Sequence, residues 1–90
     1  MGGMRGLDNH QYRISDTALA TYLIIQGFTI ASIDYSTPRY EFYFAESPDK
    51  LQEFAQKYIT GKALVDPSVF TRVNRKIMRL VKNQLQWGDD

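Results

Sequence analysis

Five basic side chains follow helical spacing in the stretch RVNRKIMRLVK, which contains no acidic residue. On a helix of about 3.6 residues per turn, the five fall within about 120° of one face, and apolar side chains take the opposite face. Guanidinium and ammonium groups in a row bind phosphate oxygens without reading bases, so the pattern predicts non-specific contact with nucleic acid. We call this set the basic ridge: Arg72, Arg75, Lys76, Arg79 and Lys82.

Two other interpretations of the basic ridge stay open. Lysine and arginine are common on solvated helix faces, and the helix macrodipole favours them towards a C-terminus. The same side chains can also pair with acids elsewhere in the chain. A solvated helix usually mixes both signs because opposite charges four residues apart attract. No glutamate or aspartate lies within this stretch, and that absence favours a negatively charged partner.

Two tyrosines, Tyr35 and Tyr43, are candidate interface residues in the aromatic segment nearer the middle of the chain. If both lie on a sheet face away from the helices, their rings can stack on unpaired bases. The segment RYEFYF, however, lacks the glycines of the usual RNA-binding strand motif. Association of two copies explains them better, because a two-stranded sheet has open edges and is marginal alone. Partial burial under the N-terminal arm is the remaining interpretation.

Residues for catalysis, metal binding or cofactor binding are scarce. The sequence has no cysteine, and its one histidine, His10, lies in a glycine-rich polar segment that suits no catalytic pair. We therefore expect that the protein is not an enzyme and that it takes neither a metal nor a cofactor. Four carboxylates near the predicted hairpin lack the ligand spacing and central glycine of a calcium loop: Asp34, Glu41, Glu46 and Asp49.

The elements that position these residues belong to the α+β class. Their predicted order is helix, β-hairpin, helix, short strand and long helix, with the helices packed on one face of a small antiparallel sheet. β-branched and aromatic residues predict strands at about 28–35 and 39–46, and the proline of STPR predicts the turn between them. The segment KALV, residues 62–65, predicts the short edge strand.

Three helices are predicted from caps and apolar stripes. The first, SDTALATYLIIQG, has Ser15 as its N-cap and Gly27 after its end. The second, SPDKLQEFAQKYITG, begins with a serine cap followed by proline and carries an apolar stripe at helical spacing. Asp66-Pro67 repeats that start signal and opens a third helix over about 67–86.

One buried cluster is predicted from the inward positions of these elements. It joins the apolar stripes of the helices to alternate residues of the second strand. The predicted members are Leu19, Leu23, Phe28, Phe42, Phe44, Leu51, Phe54, Tyr58, Phe70, Val73, Ile77 and Leu80.

Length and composition predict one small domain. The chain has 90 residues, of which 43% are hydrophobic, enough for a globular core. We expect a flexible N-terminal arm over 1–13, a single domain over 14–87 and a flexible C-terminus over 88–90. No apolar run approaches the roughly twenty residues that span a bilayer, and no signal peptide is recognisable, so no membrane association is expected. The lack of cysteine is compatible with a reducing cytoplasm.

Three stretches together resemble a family of small uncharacterised domains from bacteria, archaea and their phages. They are SDTALATYLIIQGFTIASIDYS, RYEFYF and FAQKYITGKALVDPSVFTRVNRKIMRLV. The resemblance covers about residues 15–82, and Gly27-Phe28, Phe42 with Phe44, and Val65-Asp66 are its most specific positions. All are turn or core positions, so the resemblance implies the fold and a phage or prophage setting but assigns no site residue.

Two functional hypotheses follow. Residues 67–90 carry five Lys/Arg and two Asp/Glu, whereas residues 1–66 carry six and eight, so positive charge is concentrated near the end. This asymmetry favours a non-enzymatic module that contacts nucleic acid through its last helix. The alternative is a protein-interaction module of phage or prophage type. Such a module would form a homodimer, or bind a phage or host protein, through its sheet edge or outer sheet face.

Overall fold

The computed structural model describes residues 12–36 and 40–88. Within these residues the chain forms three helices and a three-stranded antiparallel sheet, which confirms the predicted α+β class. Residues 1–11 of the predicted arm (including His10), the turn residues 37–39 and the last two residues, 89–90, lie outside the described residues. The elements in chain order are β1 (Arg13–Ile14), α1 (Thr17–Ile25), β2 (Ile30–Asp34), β3 (Glu41–Phe44), α2 (Pro48–Ile59) and α3 (Pro67–Lys82).

The third strand of the sheet is β1, not the predicted strand at 62–65. The sheet order is β1-β3-β2, so β3 lies in the centre, and Ile14 of β1 faces Phe42 of β3. Residues 62–65 form no strand, and Leu64 there is 89% exposed. The prediction was wrong because the third strand is decided by pairing with β3 and by burial of Ile14, and not by the local residue preferences of KALV.

Both hairpin strands are shorter than predicted. Strand β2 starts at Ile30 because the N–H of Phe28 donates to the Leu23 carbonyl and closes the end of α1. Strand β3 covers only Glu41–Phe44. Its alternation is as predicted, since Phe42 and Phe44 are buried against the helices while Glu41 and Tyr43 face the other side.

Helix α1 is the central helix of the fold and contacts α2, α3 and β1. Its N-cap is Asp16 rather than the predicted Ser15, because the Asp16 carboxylate accepts the N–H groups of Ala18 and Leu19. Ala20, Thr21 and Tyr22 are buried as well as the predicted leucines. Helix α1 is enclosed on several sides, so its burial extends beyond the single face that the sequence pattern predicts.

Helices α2 and α3 begin where the sequence predicts. Ser47 caps α2 and Asp66 caps α3, and in each a proline occupies the first turn. Helix α3 ends at Lys82, four residues before its predicted end. There the N–H of Leu85 donates to the Leu80 carbonyl and the N–H of Gln84 donates to the Val81 carbonyl. This is the Schellman hydrogen-bond pattern, which turns the chain out of the helix.

Gln84 adopts a left-handed backbone with φ 53°, at the position where the corresponding turns after α1 and α2 have Gly27 and Gly61. A non-glycine residue in this region costs about 1 kcal/mol. We therefore expect Gln84→Gly to stabilise the fold by about 0.5–1 kcal/mol and to raise the melting temperature by about 2–6 °C, measured by circular dichroism. Gln84→Ala is the control, because it removes the side chain without freeing the backbone and should bring no gain. A Gln84→Gly variant that melts at or below the parent temperature would contradict this.

The core lies between the helices and the inner face of the sheet. Of the predicted members, seven are buried: Leu19, Leu23, Phe42, Phe44, Leu51, Ile77 and Leu80. The other five are only half-buried: Phe28, Phe54, Tyr58, Phe70 and Val73. Six further buried apolar residues were not predicted: Ile14, Ala20, Tyr22, Ile30, Ile33 and Ala55. Within the described ranges, no helix is long and apolar enough to cross a bilayer.

Candidate nucleic-acid interface

Helix α3 is fixed in rotation by its contacts with α1. Its apolar side buries Ile77 and Leu80, and the Asn74 side-chain amide donates to the Thr21 hydroxyl at 2.9 Å. Thr21 is fully buried and donates in turn to the Thr17 carbonyl at 2.9 Å. Leaving the buried Thr21 hydroxyl without this half-buried partner would be costly, so the contact helps to define which side of α3 faces outward.

The basic ridge lies on the outward side of α3. Arg72, Arg75, Arg79 and Lys82 are exposed, whereas Lys76 is half-buried. At 1.5 Å per residue, the ridge extends about 15 Å along the helix axis. Two shallow depressions run along it, and both include Arg75 and Arg79. The first is lined by Arg72, Val73, Arg75, Lys76 and Arg79, and the second by Arg75, Met78, Arg79, Lys82 and Asn83.

An acidic residue stands near one end of the ridge. The pKa of the Asp66 carboxyl is lowered, first by a hydrogen bond from the Ser68 hydroxyl at 2.8 Å, then by backbone N–H groups of Ser68 and Val69, and also by the positive charge of Arg72. Asp66 therefore remains ionised as the N-cap of α3. Arg72 is the ridge residue nearest to this negative charge along the chain.

Lys76 is engaged by an aromatic ring from the end of the chain. Its Nζ lies 4.4 Å from the centroid of the Trp87 ring, a cation–π contact. The five ridge residues are therefore not equivalent. The sequence pattern did not reveal the role of Trp87, because the predicted last helix includes residues 83–86. The local signal for an earlier end is the polar run Lys82-Asn83-Gln84, which follows Val81.

The residues after α3 form a turn that lies against β2. We call Asn83–Gly88 the C-terminal turn. The Tyr35 hydroxyl donates to the carbonyls of Leu80 and Leu85, at 3.1 and 2.6 Å. Burial raises the pKa of the Tyr35 hydroxyl, and the nearby Tyr40 adds to this. Tyr35, predicted as an interface residue, therefore has its hydroxyl directed at the end of α3.

Tyr43, the other predicted interface residue, lies half-buried on the outer face of the sheet. Its neighbours across the strands are Arg13 and Ser32, and its hydroxyl donates to the Glu41 carboxylate at 3.2 Å. Burial raises the pKa of the Tyr43 hydroxyl, and the hydrogen bond and negative charge of Glu41 add to this. The structure thus separates the two tyrosines. It points the Tyr35 hydroxyl at the end of α3, whereas Tyr43 alone belongs to the outer face.

The described residues include no group of three or more His, Cys, Asp or Glu side chains that could hold a metal ion. Asp34 and Glu41 face each other across β2 and β3, but the Asp34 carboxylate is used locally. It accepts from the hydroxyl and the N–H of Ser36 at 2.6 and 2.8 Å, which lowers the pKa of Asp34. These hydrogen bonds give the Asp34 carboxylate a role in shaping the end of β2.

Comparison with known proteins identifies one family. The family model described as a domain of unknown function (DUF5659) matches residues 9–84, which is most of the chain. No curated protein and no solved structure matches the sequence.

Proposed function

The chain belongs to the DUF5659 family, and from its geometry we propose that it is a small non-enzymatic module that binds nucleic acid non-specifically through the basic ridge. The observation that carries this proposal is the exposure of Arg72, Arg75, Arg79 and Lys82 on one side of a helix whose other side is locked into the core. A rigid row of cations meets phosphates with little loss of backbone freedom, because the helix is already ordered.

The expected binding mode is contact with the phosphate backbone. Three arginines and two lysines along about 15 Å supply charge but no evident set of side chains for reading base edges. Affinity should therefore depend on salt and hardly on sequence. In line with the family resemblance, we also propose that the protein acts in a phage or prophage setting, in the cytoplasm.

The direct test is fluorescence anisotropy with labelled duplex DNA at about 50 and 200 mM salt, using a second duplex of scrambled sequence. The proposal predicts salt-sensitive binding that is equal for the two sequences. Single-stranded DNA of the same length should be run in parallel, because phosphate contact does not require a duplex. Absence of salt-sensitive binding to all three probes would refute the proposal and favour a solvated helix face.

A second candidate function is protein interaction through the outer face of the sheet, with a phage protein, a host protein or a second copy as partner. It is favoured by Tyr43, whose ring remains half-buried on the face opposite the core, between Arg13 and Ser32. Tyrosine supplies a large rigid contact area and is enriched at interfaces. Arg13 and Glu41 beside it offer opposite charges, which a two-fold axis can bring together.

For this candidate we predict a symmetric dimer at micromolar concentration, which Tyr43→Lys should convert to a monomer. In the dimer, the two lysine ammonium groups would lie close together and repel each other. The tyrosine rings that the interface buries would be missing. Analytical ultracentrifugation from about 1 to 100 μM measures the change, a range over which a micromolar dimer assembles by mass action. Gln52→Lys, which adds the same charge at an exposed position on α2 instead of on the sheet, is the control. A parent that sediments as a monomer throughout would eliminate the outer-face dimer.

A further inference from the structure

One side chain of the C-terminal turn occupies the edge of the sheet in the way a strand would. The N–H of Ile33 donates to the Gln86 side-chain oxygen at 2.7 Å, and the Gln86 side-chain nitrogen donates to the Ile33 carbonyl at 2.8 Å. A neighbouring antiparallel strand makes the same two hydrogen bonds to a residue on a sheet edge. Gln86 therefore substitutes, with one amide, for the peptide groups of a fourth strand.

Strand β2 is only partly protected as an edge strand, by an irregularity in its pairing between Ile30 and Ser32 and by the charge of Asp34 at its end. Exposed edges are normally guarded by lysine, proline or a covering element, because unpaired N–H and C=O groups recruit other strands. The sequence of β2, IASID, has neither lysine nor proline, and its exposed positions Ala31 and Ser32 are small. Protection at Ile33 comes instead from Gln86, 53 residues further along the chain.

Several contacts hold the C-terminal turn to the rest of the fold. They include the two Gln86 hydrogen bonds, the Tyr35 hydroxyl on the Leu85 carbonyl and the Lys76 ammonium over Trp87, whose ring also packs against the core. Its connection to α3 passes through Gln84, whose left-handed backbone opposes this arrangement by about 1 kcal/mol. A segment outside the helices and strands, with a strained joint and an exposed Gln86, opens at a lower free energy than the core does.

We propose that the edge of β2 is a strand-pairing site that the C-terminal turn closes, and that its occupant after opening is β2 of a second copy. In an antiparallel pair with Ile33 opposite Ile33 of the second copy, each residue offers the N–H and C=O that Gln86 otherwise satisfies. The pairing is isologous, so it closes on itself at two copies. In this register Ser32 lies opposite Asp34 of the second copy. The inference depends neither on nucleic-acid binding nor on the outer-face dimer.

The test begins with Gln86→Ala in the full chain, with Gln52→Ala on the exposed side of α2 as the matched control. At about 1 μM, where the proposed dimer is largely dissociated, hydrogen exchange at the Ile33 amide should become about fivefold faster in Gln86→Ala, as expected for loss of one hydrogen bond. Sedimentation between about 1 and 100 μM should show association beyond that of the parent. Gln86→Glu preserves the side-chain length, and its carboxylate can accept from the Ile33 N–H but cannot donate to the Ile33 carbonyl. The exchange rate and the association of this variant should therefore lie between those of the parent and of Gln86→Ala.

The register is tested by charge in the Gln86→Ala background. Adding Ser32→Asp creates two pairs of facing aspartates, because residue 32 of each copy lies opposite Asp34 of the other. Their repulsion should return the molecule to the parent's association state. Adding Ser32→Lys creates two opposite-charge pairs and should strengthen association. Three results would each overturn the proposal. They are unchanged exchange at Ile33 at about 1 μM, no added association in either Gln86 variant, and association that does not respond to the charge at residue 32.

Discussion

Phe42→Ala is expected to cost about 3–5 kcal/mol of folding free energy, which is most or all of the stability of a domain this small. The Phe42 side chain is fully buried in β3, the central strand. It faces Ile14 on one side and Ile33 on the other, and its ring packs edge-on against Tyr40 at 5.5 Å between centroids. Its truncation therefore leaves a cavity where all three strands meet, and neither edge strand can fill it without losing its own pairing.

Urea denaturation followed by circular dichroism measures this loss. Phe42→Leu is the matched control, because it retains most of the volume and should cost less than about 1.5 kcal/mol. Phe54→Ala provides a second comparison. The sequence pattern places Phe54 in the core as firmly as Phe42, but the ring is only half-buried against the core cluster. It lies edge-on to Phe28 at 5.0 Å between centroids, with the Lys57 ammonium 4.6 Å from its own centroid. We expect a smaller cost of about 2 kcal/mol there. Equal losses at both positions would contradict this assignment of the core.

Sequence patterns were sufficient where a local signal decides the structure. Helices α2 and α3 begin at Ser47 and Asp66 as predicted, because a capping side chain followed by proline acts within one turn. Gly27 and Gly61 end their helices for the equally local reason that glycine accepts a left-handed backbone. Helix α3 lacks such a glycine. Its end at Lys82 was missed because Gln84 adopts that backbone against its own preference.

Long-range contacts account for the features that no local pattern revealed. Strand β1 is two residues long and exists through pairing with β3, so no run of β-forming residues announces it. The C-terminal turn depends on Gln86 reaching Ile33 and on Trp87 reaching Lys76. The position of the basic ridge could be predicted, because helical spacing alone puts its residues on one face. The difference between half-buried Lys76 and the four exposed ridge residues could not be predicted, since it involves the contact of Lys76 with Trp87.

Replacing Arg75 and Arg79 together by glutamine is expected to flatten the salt dependence of DNA binding by about two units of slope. Each phosphate neutralised on duplex DNA contributes about −0.9 to the slope of log affinity against log salt concentration. Three to five contacts by the parent correspond to a slope of about −3 to −5. These two arginines are the residues shared by both depressions along the ridge, so their loss weakens contacts over its whole length.

The matched control is Lys50→Gln with Lys62→Gln, which removes the same net charge from exposed positions on α2 and in the loop after it. If binding reflects only the overall charge of the protein, both double variants should flatten the slope equally. Contact through the ridge predicts that the control retains a slope close to that of the parent. Melting temperatures of both variants should be measured alongside, so that a loss of binding is not confused with a loss of fold.

Single substitutions then rank the ridge residues. Lys76 must leave the Trp87 ring to meet a phosphate, and that contact is worth about 0.5–2 kcal/mol, whereas Arg75 is exposed. Lys76→Gln should therefore change the slope less than Arg75→Gln. Trp87→Ala should free the Lys76 ammonium and make a subsequent Lys76→Gln substitution more costly for binding. If Lys76→Gln instead reduces the slope as much as Arg75→Gln in the parent, the ammonium is already available to phosphate, and the cation–π contact exerts no hold on it in solution.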